Sequence, residues 1–470
     1  MSLYGKLFFI LCSPIFCMAQ NMVSDTAILT PEAFIAIVKK YHPVVKQANI
    51  NIEKAKAAIT VARGGFDPQA YVSSDQKTFD GKKYYQYTNP ELKIPTWYGI
   101  EVKAGLENNA GQYLNNEATP GKTSYAGIVV PLAKNLLMDN RRAVLQQSKI
   151  FKLQTESERL NTINDLLNEA YESYWEWVKE YQLYQILSEA VEVNERRFDL
   201  VKTGYRQGDR PAIDTVEALA QLQNFQFLQS ESLVKFKNAG VNLSAYLWLE
   251  NNTFYQLSES VIPDGNWNVQ NISNLPAGTL DDILNNARLT HPKLKIFSFK
   301  LQWLEVERKL KFQSLLPMVN VSANLLNKGY NVLKGVDAAF YENNNKFGID
   351  IGLPLRLSEG RGNYKIAKLK ISETSYAFGL QQQEVENKIR FYFNELTGLQ
   401  RQINIYQQAN NNYQTLLRGE DTRFKAGESS LFLLNTRENK VLEALQKLTE
   451  LKAKFYKTQV ALQWAAGQLR

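Results

Sequence analysis

The chain has very little of the side chains that usually carry chemistry. Its 470 residues include two histidines and two cysteines, and both cysteines, Cys12 and Cys17, lie within the first twenty residues. This scarcity argues against a zinc site and leaves few candidates for a nucleophile or for an acid and base pair. Hydrophobic residues (44%) and charged residues (22%) are as frequent as in other folded proteins. We therefore expect a folded protein that is not an enzyme and that needs no metal or cofactor.

Long hydrophobic runs are also missing. The most apolar stretch, Leu7–Phe16, follows a single lysine and is too short to span a bilayer. It precedes Cys17-Met18-Ala19, which has the spacing of small residues found at a cleavage site. We predict a signal peptide over residues 1–19. A lipoprotein acylated at Cys17 is the alternative, although Phe16 is bulkier than the residue that such processing normally requires.

Loss of that segment would leave an exported chain without cysteine, which must be stabilised by packing or by oligomerisation. Its net charge would fall from +8 to +7, because the segment contains one lysine. The charges alternate in sign along the predicted helices and do not cluster, so no nucleic-acid partner is expected.

The chain repeats itself. His42-Pro43 is followed 25 residues later by Pro68 and a strand-like stretch, and His291-Pro292 is followed 25 residues later by Pro317 and another. Pro131 precedes Gly208 by 77 residues, and Pro354 precedes Gly427 by 73. Each proline ends a strand-like stretch and each glycine ends a long helical pattern. The spacing predicts two copies of one unit made of a helix, strands, a very long helix, a turn and a return helix.

The repeat suggests the following boundaries. The first unit covers residues 20–262, with strands at about 66–132 and a helical tip near 206–211. A linker rich in proline, glycine and asparagine covers 263–278. The second unit covers 279–470, with strands at about 317–355 and a tip near 425–430. The stretch from Lys77 to Lys122 is longer than its counterpart, and the sequence leaves open whether it adds strands or only lengthens two of them.

The long helices are predicted from their apolar spacing. Between Asp139 and Tyr205 there is no proline and one glycine, so 67 residues could form a helix about 100 Å long. Apolar side chains recur along it at alternating steps of three and four, the pattern of a coiled-coil seam. This seam comprises Leu160, Ile163, Leu167, Ala170, Tyr174, Trp177, Tyr181 and Tyr184. At the tips, Asp209 is the expected cap of one return helix and Ser429 or Ser430 of the other.

The strand regions alternate apolar and polar residues. Tyr98, Ile100, Val102, Ala104 and Leu106 alternate with glycines and charged residues. Tyr125, Gly127 and Val129, together with Val319, Val321, Phe347, Ile349 and Ile351, suggest shorter versions of this pattern. Alternation suits either a soluble sheet packed on helices or a barrel with a lipid face and a wet lumen. The predicted export signal and the 100 Å helices favour the barrel.

The duplicated order, the VVPL and GLPL stretches before the long helices, and YRQGDRPAIDTVEA with FKAGESSLFLLNTREN at the turns resemble the TolC family of outer-membrane channels. The resemblance extends over nearly the whole mature chain. It implies a mostly α, α+β fold, in which three protomers each give four strands to one transmembrane β-barrel. The long helices then continue as an α-barrel in the periplasm.

The resemblance also implies a site at the helical tips. In that family, acidic, tyrosine and arginine side chains close the periplasmic end, and Tyr205, Arg210, Asp214 and Glu217 occupy matching positions here. The second repeat has Leu433 and Thr436 instead, which leaves open which repeat carries the gate. The tip residues expected to meet a periplasmic adaptor are Gly208, Asp209, Pro211, Gly427, Glu428, Ser429 and Ser430. Alternatively, Asp214 and Glu217 are ordinary solvated helix residues.

The expected function is that of a homotrimeric, outer-membrane exit duct, used by an inner-membrane pump and its adaptor. Two alternatives remain at this point. One is a soluble periplasmic adaptor, which would need the helical hairpins but no lipid-facing strands. The other is a structural outer-membrane protein that conducts nothing. The exported substrate cannot be read from the sequence, because a pump partner normally selects it.

Overall fold

A computed structural model describes residues 27–268, 279–330 and 343–470 of the chain. The predicted signal peptide, residues 1–19, lies outside the described residues. So does most of the predicted linker, of which residues 263–268 are described. Among the described residues, no helix has both the length and the apolar character needed to cross a membrane.

The elements of the first half run from a short strand to a long helical hairpin. They are β1 (Ala27–Leu29), α1 (Pro31–Tyr41), α2 (Pro43–Gly64), β2 (Gln69–Phe79), β3 (Lys82–Pro95), β4 (Glu101–Ala110), β5 (Gly121–Pro131), α3 (Asn140–Gln207) and α4 (Ala212–Ser244). A short strand β6 (Val261–Pro263) then pairs in parallel with β1.

The second half repeats the order with fewer strands. Its elements are α5 (Leu280–Thr290), α6 (Pro292–Gln313), β7 (Met318–Lys328), β8 (Asn345–Gly352), α7 (Ser358–Lys425) and α8 (Leu431–Ala465). In both halves a histidine separates the first two helices. The Nδ1 atoms of His42 and His291 accept hydrogen bonds from the backbone N–H groups of Val44 and Lys293, so each imidazole caps the helix that begins at the following proline.

The two long helices have 68 residues each. Asp139, where the predicted helix begins, is the N-cap of α3, because its carboxylate accepts a hydrogen bond from the Arg142 N–H at 2.8 Å. Side chains in the middle of the predicted seam, including Tyr174 and Trp177, are fully buried. They form an aromatic core with residues of α1, such as Phe34, whose ring stacks on Tyr174 with centroids 5.6 Å apart. The seam is therefore a packing surface.

The remaining strands form one six-stranded sheet with the order β2-β3-β4-β5-β7-β8, and every neighbouring pair is antiparallel. The stretch from Lys77 to Lys122 thus contributes whole strands, which answers the question that the sequence left open. In the part of the chain that the structure describes, this sheet has two strands more than the four per protomer that the resemblance implies. The first half supplies four strands, since Asp80 and Gly81 take positive φ and turn β2 directly into β3.

The register separates an apolar from a polar face. Val102, Ala104 and Leu106 share one face with Ile128 and Val130, whereas Glu101, Lys103 and Glu107 lie on the other. The apolar face is exposed: Val72, Ile351 and Phe347 are 73%, 73% and 63% accessible. Exposure of a continuous apolar face marks a surface that another apolar phase or protein covers.

Two details of the predicted alternation are wrong. Tyr98 and Ile100 lie in the turn between β3 and β4, and not on the strand. Tyr125, Gly127 and Val129 are opposite Gly105, Lys103 and Glu101, and so lie on the polar face. An aromatic side chain such as Tyr125 is expected on the apolar face of the sheet. Its hydroxyl instead donates to the Glu91 carboxylate on the polar face.

Candidate functional site

The turn between α3 and α4 forms one tip of the molecule. Gly208 follows α3 with φ of +83° and donates its N–H to the Tyr205 carbonyl. The N–H of Asp209 reaches back to the Gly204 carbonyl at 2.9 Å, which completes a Schellman motif. Pro211 holds the N-cap position of α4 and no side chain caps that helix, so the expected cap by Asp209 is wrong.

The turn between α7 and α8 has the same construction. Gly427 has φ of +77°, and the Glu428 N–H binds the Arg423 carbonyl at 2.9 Å. Ser430 caps α8 by accepting from the Leu433 N–H at 3.3 Å, as one of the two predicted serines should. The Ser429 hydroxyl instead donates to the Glu420 carboxylate. Positive φ favours glycine in both turns, and open space surrounds both glycines.

The two tips touch through Arg210. Its guanidinium lies 4.0 Å from the centre of the Phe424 ring, and Nη2 donates to the Phe424 carbonyl at 3.3 Å. Nη1 lies 3.7 Å from Oδ2 of Asp214, one turn along α4. Arg210 therefore joins the start of the first return helix to the end of the second long helix, where a cation interacts favourably with the free carbonyls.

The predicted acidic residues line the contact between α4 and α8. Glu217 Oε1 accepts from Asn435 Nδ2 at 3.2 Å, and one turn further Gln221 donates to Asn439 at 2.8 Å. Asp214 and Glu217 are both half-buried. The structure thus brings Arg210, Asp214 and Glu217 together beside the second hairpin. Tyr205 is on the exposed side of α3, with 48% of its surface accessible.

Sequence reasoning missed a stronger contact about two to three helical turns away from the tips. Arg197 and Glu438 form a two-pronged ion pair with N···O distances of 2.5 and 3.0 Å, and Asn194 donates to the same carboxylate at 3.2 Å. Both charged side chains are about nine-tenths buried. The available signal was a polar interruption of an apolar stripe, because Glu438 follows Leu431 and Leu434 at helical spacing.

Most of the predicted docking residues are exposed. Gly208, Asp209, Pro211, Gly427, Glu428 and Ser430 are accessible, and Ser429 is half-buried against Glu420. Within the described ranges, no group of three or more histidine, cysteine, aspartate or glutamate side chains is placed to hold a metal ion.

Comparison with known proteins agrees with this architecture. Residues 283–468 match the family model described as outer membrane efflux protein. No functionally curated protein matches the chain. Three solved structures share the fold: the CmeC outer membrane channel of Campylobacter jejuni, MtrE of Neisseria gonorrhoeae in its open state, and VceC of Vibrio cholerae.

The structural likeness covers most of both chains in each comparison. CmeC has a TM-score of 0.64 with 15% identity, covering 93% of this chain and 86% of that one. MtrE has 0.66 with 14% identity, covering 94% and 89%, and VceC has 0.62 with 13%, covering 93% and 96%. At such identities the likeness is one of fold, and it confirms the predicted fold class. Residues 283–468 are thus similar to the outer membrane efflux protein family, and the chain as a whole has the fold of these solved structures.

Proposed function

We propose that three copies of this chain form a passive exit duct, which crosses the outer membrane and is opened at its periplasmic tip by an adaptor and an inner-membrane pump. One observation carries the proposal. A single chain joins a sheet with an exposed apolar face and a polar opposite face to two helical hairpins, whose long helices have 68 residues each.

The sheet has the properties that a membrane barrel requires. Five of its six strands have 10 to 14 residues and β8 has eight, against the 9 to 11 that cross the bilayer when tilted. The polar face carries Glu91, Lys93, Glu101 and Lys103, which would line a wet lumen. The apolar face would contact lipid. A soluble adaptor needs no lipid-facing apolar sheet, so this face weighs against the adaptor alternative.

The helical hairpins supply the length of the duct. A straight helix of 68 residues is about 100 Å long, far more than the diameter of a globular domain. Both long helices end in turns of the same construction, and the contact of Arg210 with Phe424 holds the two tips of each protomer side by side. We assign adaptor docking to the surface formed by Gly208, Asp209, Pro211, Gly427, Glu428, Ser429 and Ser430, all of which are exposed except the half-buried Ser429.

We further propose that the first repeat supplies the gate. Three copies of Asp214 and Glu217 would place negative charge around one constriction, which favours cations. Arg210 would hold each copy of this segment against Phe424 of the second hairpin. Adaptor contact would release that arrangement and let the inner helices move apart. Tyr205 faces outward in a single protomer, where it is available to a neighbouring copy.

The decisive test combines microscopy with electrical recording on the mature protein extracted in mild detergent. We expect three-fold particles longer than 100 Å that conduct ions when inserted into planar bilayers. A compact or two-fold particle would support the periplasmic adaptor instead. Three-fold particles that do not conduct, even under conditions that open other channels, would support the structural anchor.

A further inference from the structure

We propose that the outer-membrane barrel of this protein has eighteen strands, closed by pairing of β8 in one copy with β2 in the next. The inference rests on the trimeric duct proposed above and adds the identity of the joining edges. Three copies of a six-stranded sheet give eighteen strands. Four strands per copy, as the family resemblance implied, would give twelve.

The edges of the sheet are suited to each other. All five internal pairs are antiparallel, and the number of strands is even. β2 therefore leaves the helical end, just after α2, while β8 returns to it, just before α7. A junction of β8 with β2 of another copy is antiparallel too, so the ring closes without any change in the pattern.

The additional strands lie at the same height as the others. One row of directly paired residues crosses five strands on the apolar face: Ala70, Leu92, Ala104, Ala126 and Leu325. The next row contains Ile94, Val102, Ile128, Ala323 and Phe347. Because these rows continue into β2 and β3, the β2–β3 hairpin belongs to the apolar band and is not a loop that rises above it.

The polar face also ties this hairpin into the sheet. The Tyr125 hydroxyl of β5 passes across Gly105 of β4 and donates to the Glu91 carboxylate of β3. Lys93 then lies 3.1 Å from the other Glu91 oxygen and 4.8 Å from the centre of the Tyr71 ring on β2. Four neighbouring strands thus share one polar network, which is expected of a continuous lumen wall.

An open edge explains why a second copy is the partner. All eleven residues of β2 are exposed in the single chain, as are most residues of β8. A backbone N–H or C=O group that is left unpaired in a hydrocarbon phase is energetically costly. The unpaired backbone N–H and C=O groups of β8 in one copy can form hydrogen bonds with those of β2 in the next copy. Because barrel diameter grows roughly in proportion to strand number, closure at eighteen gives a lumen about 1.5 times as wide as at twelve.

Disulfide mapping tests the joining edges. The chain has no cysteine after residue 17, so introduced cysteines would be the only thiols of the mature protein. One series of double variants places a cysteine at Phe347, Ile349 or Ile351 and a second at Ala70, Val72 or Ser74. A matched series keeps the cysteine on β8 and places the second cysteine at Val102, Ala104 or Leu106 of β4. The pair Ile128→Cys and Ala323→Cys, opposite each other within one sheet, controls for oxidation.

We expect the β8–β2 series to contain pairs that link most of the chains into covalent dimers and trimers after oxidation in the membrane, while the β8–β4 series stays at background. Links in the β8–β4 series would overturn the proposal, because β2 and β3 would then lie outside a twelve-stranded ring. Trimers that link in neither series would overturn it as well. Failure to form a trimer at all, measured by native mass spectrometry, would instead refute the duct itself.

Discussion

The Arg197–Glu438 pair is the most deeply buried charged contact between the two hairpins near the tips. Replacing Glu438 by alanine leaves the Arg197 guanidinium without its carboxylate in a site that excludes most water. We expect a loss of about 3 kcal/mol of stability for each chain, as is usual when one partner of a buried pair is removed. Thermal loss of the helical circular dichroism signal would measure the change as a lower midpoint.

The neighbouring residue provides a control. Arg196 forms an ion pair of the same type with Glu192, but both side chains are about two-thirds exposed. Arg196→Ala should lower the midpoint very little, because exposed pairs contribute less than about 1 kcal/mol. Equal effects of Glu438→Ala and Arg196→Ala would show that burial does not give the inner pair its importance.

The buried His291 gives the protein a pH-dependent stability. Burial, with a smaller contribution from Lys293, lowers the pKa of His291 to about 4. The unfolded chain takes up this proton near pH 6.5, whereas the folded chain takes it up only near pH 4. The contribution of His291 to the free energy of unfolding is therefore fully present above pH 6.5, and it is lost as the pH falls from 6.5 to 4. The full loss is about 3 kcal/mol for each chain.

Asparagine at position 291 should remove most of this slope, because it can still cap α6 but cannot take up the proton. Melting midpoints at pH 7, 5.5 and 4.5 would give the slopes of the parent and of His291→Asn. The matched control is His42→Asn, since His42 caps α2 in the same way but is only half-buried. A slope that is unchanged in His291→Asn would assign the acid sensitivity to the carboxylates instead.

The sequence predicted contacts between neighbouring residues well, but it predicted contacts between residues far apart in the chain poorly. The cap at Ser430, the breaks at His42 and His291, and the left-handed turns at the two glycines follow from a few neighbouring residues. The Arg197–Glu438 pair joins positions 241 residues apart. Its formation depends on how α3 and α8 are rotated against each other, and one helical pattern alone does not fix that rotation.

At the scale of elements, the two faces of a strand should respond differently to charge. Ile349 and Asp350 are neighbours on β8, but the first is on the apolar face and the second on the polar face. Ile349→Arg would place a cation in lipid, at a cost of about 2–4 kcal/mol near the bilayer centre. We expect much less trimer in the outer membrane, measured by non-denaturing electrophoresis of membrane fractions. Asp350→Arg should assemble normally, and equal yields would contradict the assignment of the faces.

The tip turns should tolerate asparagine better than valine. Gly427 has φ of +77°, and no atom of the described residues lies within 4 Å of the position that a Cβ would take, so any penalty comes from the backbone conformation itself. Valine is strongly disfavoured there, whereas asparagine adopts this region more easily. Gly427→Val should still assemble but lose export, scored by the protection of cells against toxic compounds. Gly427→Asn should keep both, and intact export in Gly427→Val would exclude this turn from docking.

The number of strands shows where sequence patterns stop being informative. β2 reads QAYVSSDQKTF, in which the outward positions beyond Val72 are serine, glutamine and threonine. A barrel strand needs only a short apolar band on alternate residues, so its signal is much weaker than that of a long amphipathic helix. The seam of α3 extends over many turns and was correctly predicted, whereas β2 and β3 are recognised as separate strands only by the pairing of β2 with β3 and of β3 with β4.

At the scale of the whole molecule, a single chain exposes more surface than a stable monomer would. Its accessible area is 29,560 Å², whereas a compact protein of 53.7 kDa exposes about 18,000 Å². The excess comes from helices and a sheet that have one unpartnered side. Trimer formation would cover these sides, and it would also bring the tips of three chains around one axis, where the acidic residues of α4 act together.

This arrangement leads to a prediction that only the assembled channel can show. Changing Asp214 to asparagine and Glu217 to glutamine keeps the side-chain shapes and removes two negative charges from each copy. If these groups line the constriction, the preference for cations should fall severalfold and the conductance of the closed channel should rise, since Arg210 would lose its partner. Reversal potentials in a salt gradient across planar bilayers would measure the selectivity.

The control for this experiment is Glu195→Gln, which removes a charge from an exposed position on α3 away from the contact between the hairpins. It should leave the reversal potential unchanged. If the double variant also keeps the parent's selectivity while forming normal trimers, Asp214 and Glu217 are solvated residues that stabilise each hairpin. The constriction would then have to be sought at other positions near the tips, and Arg210 would remain a structural link between the two repeats.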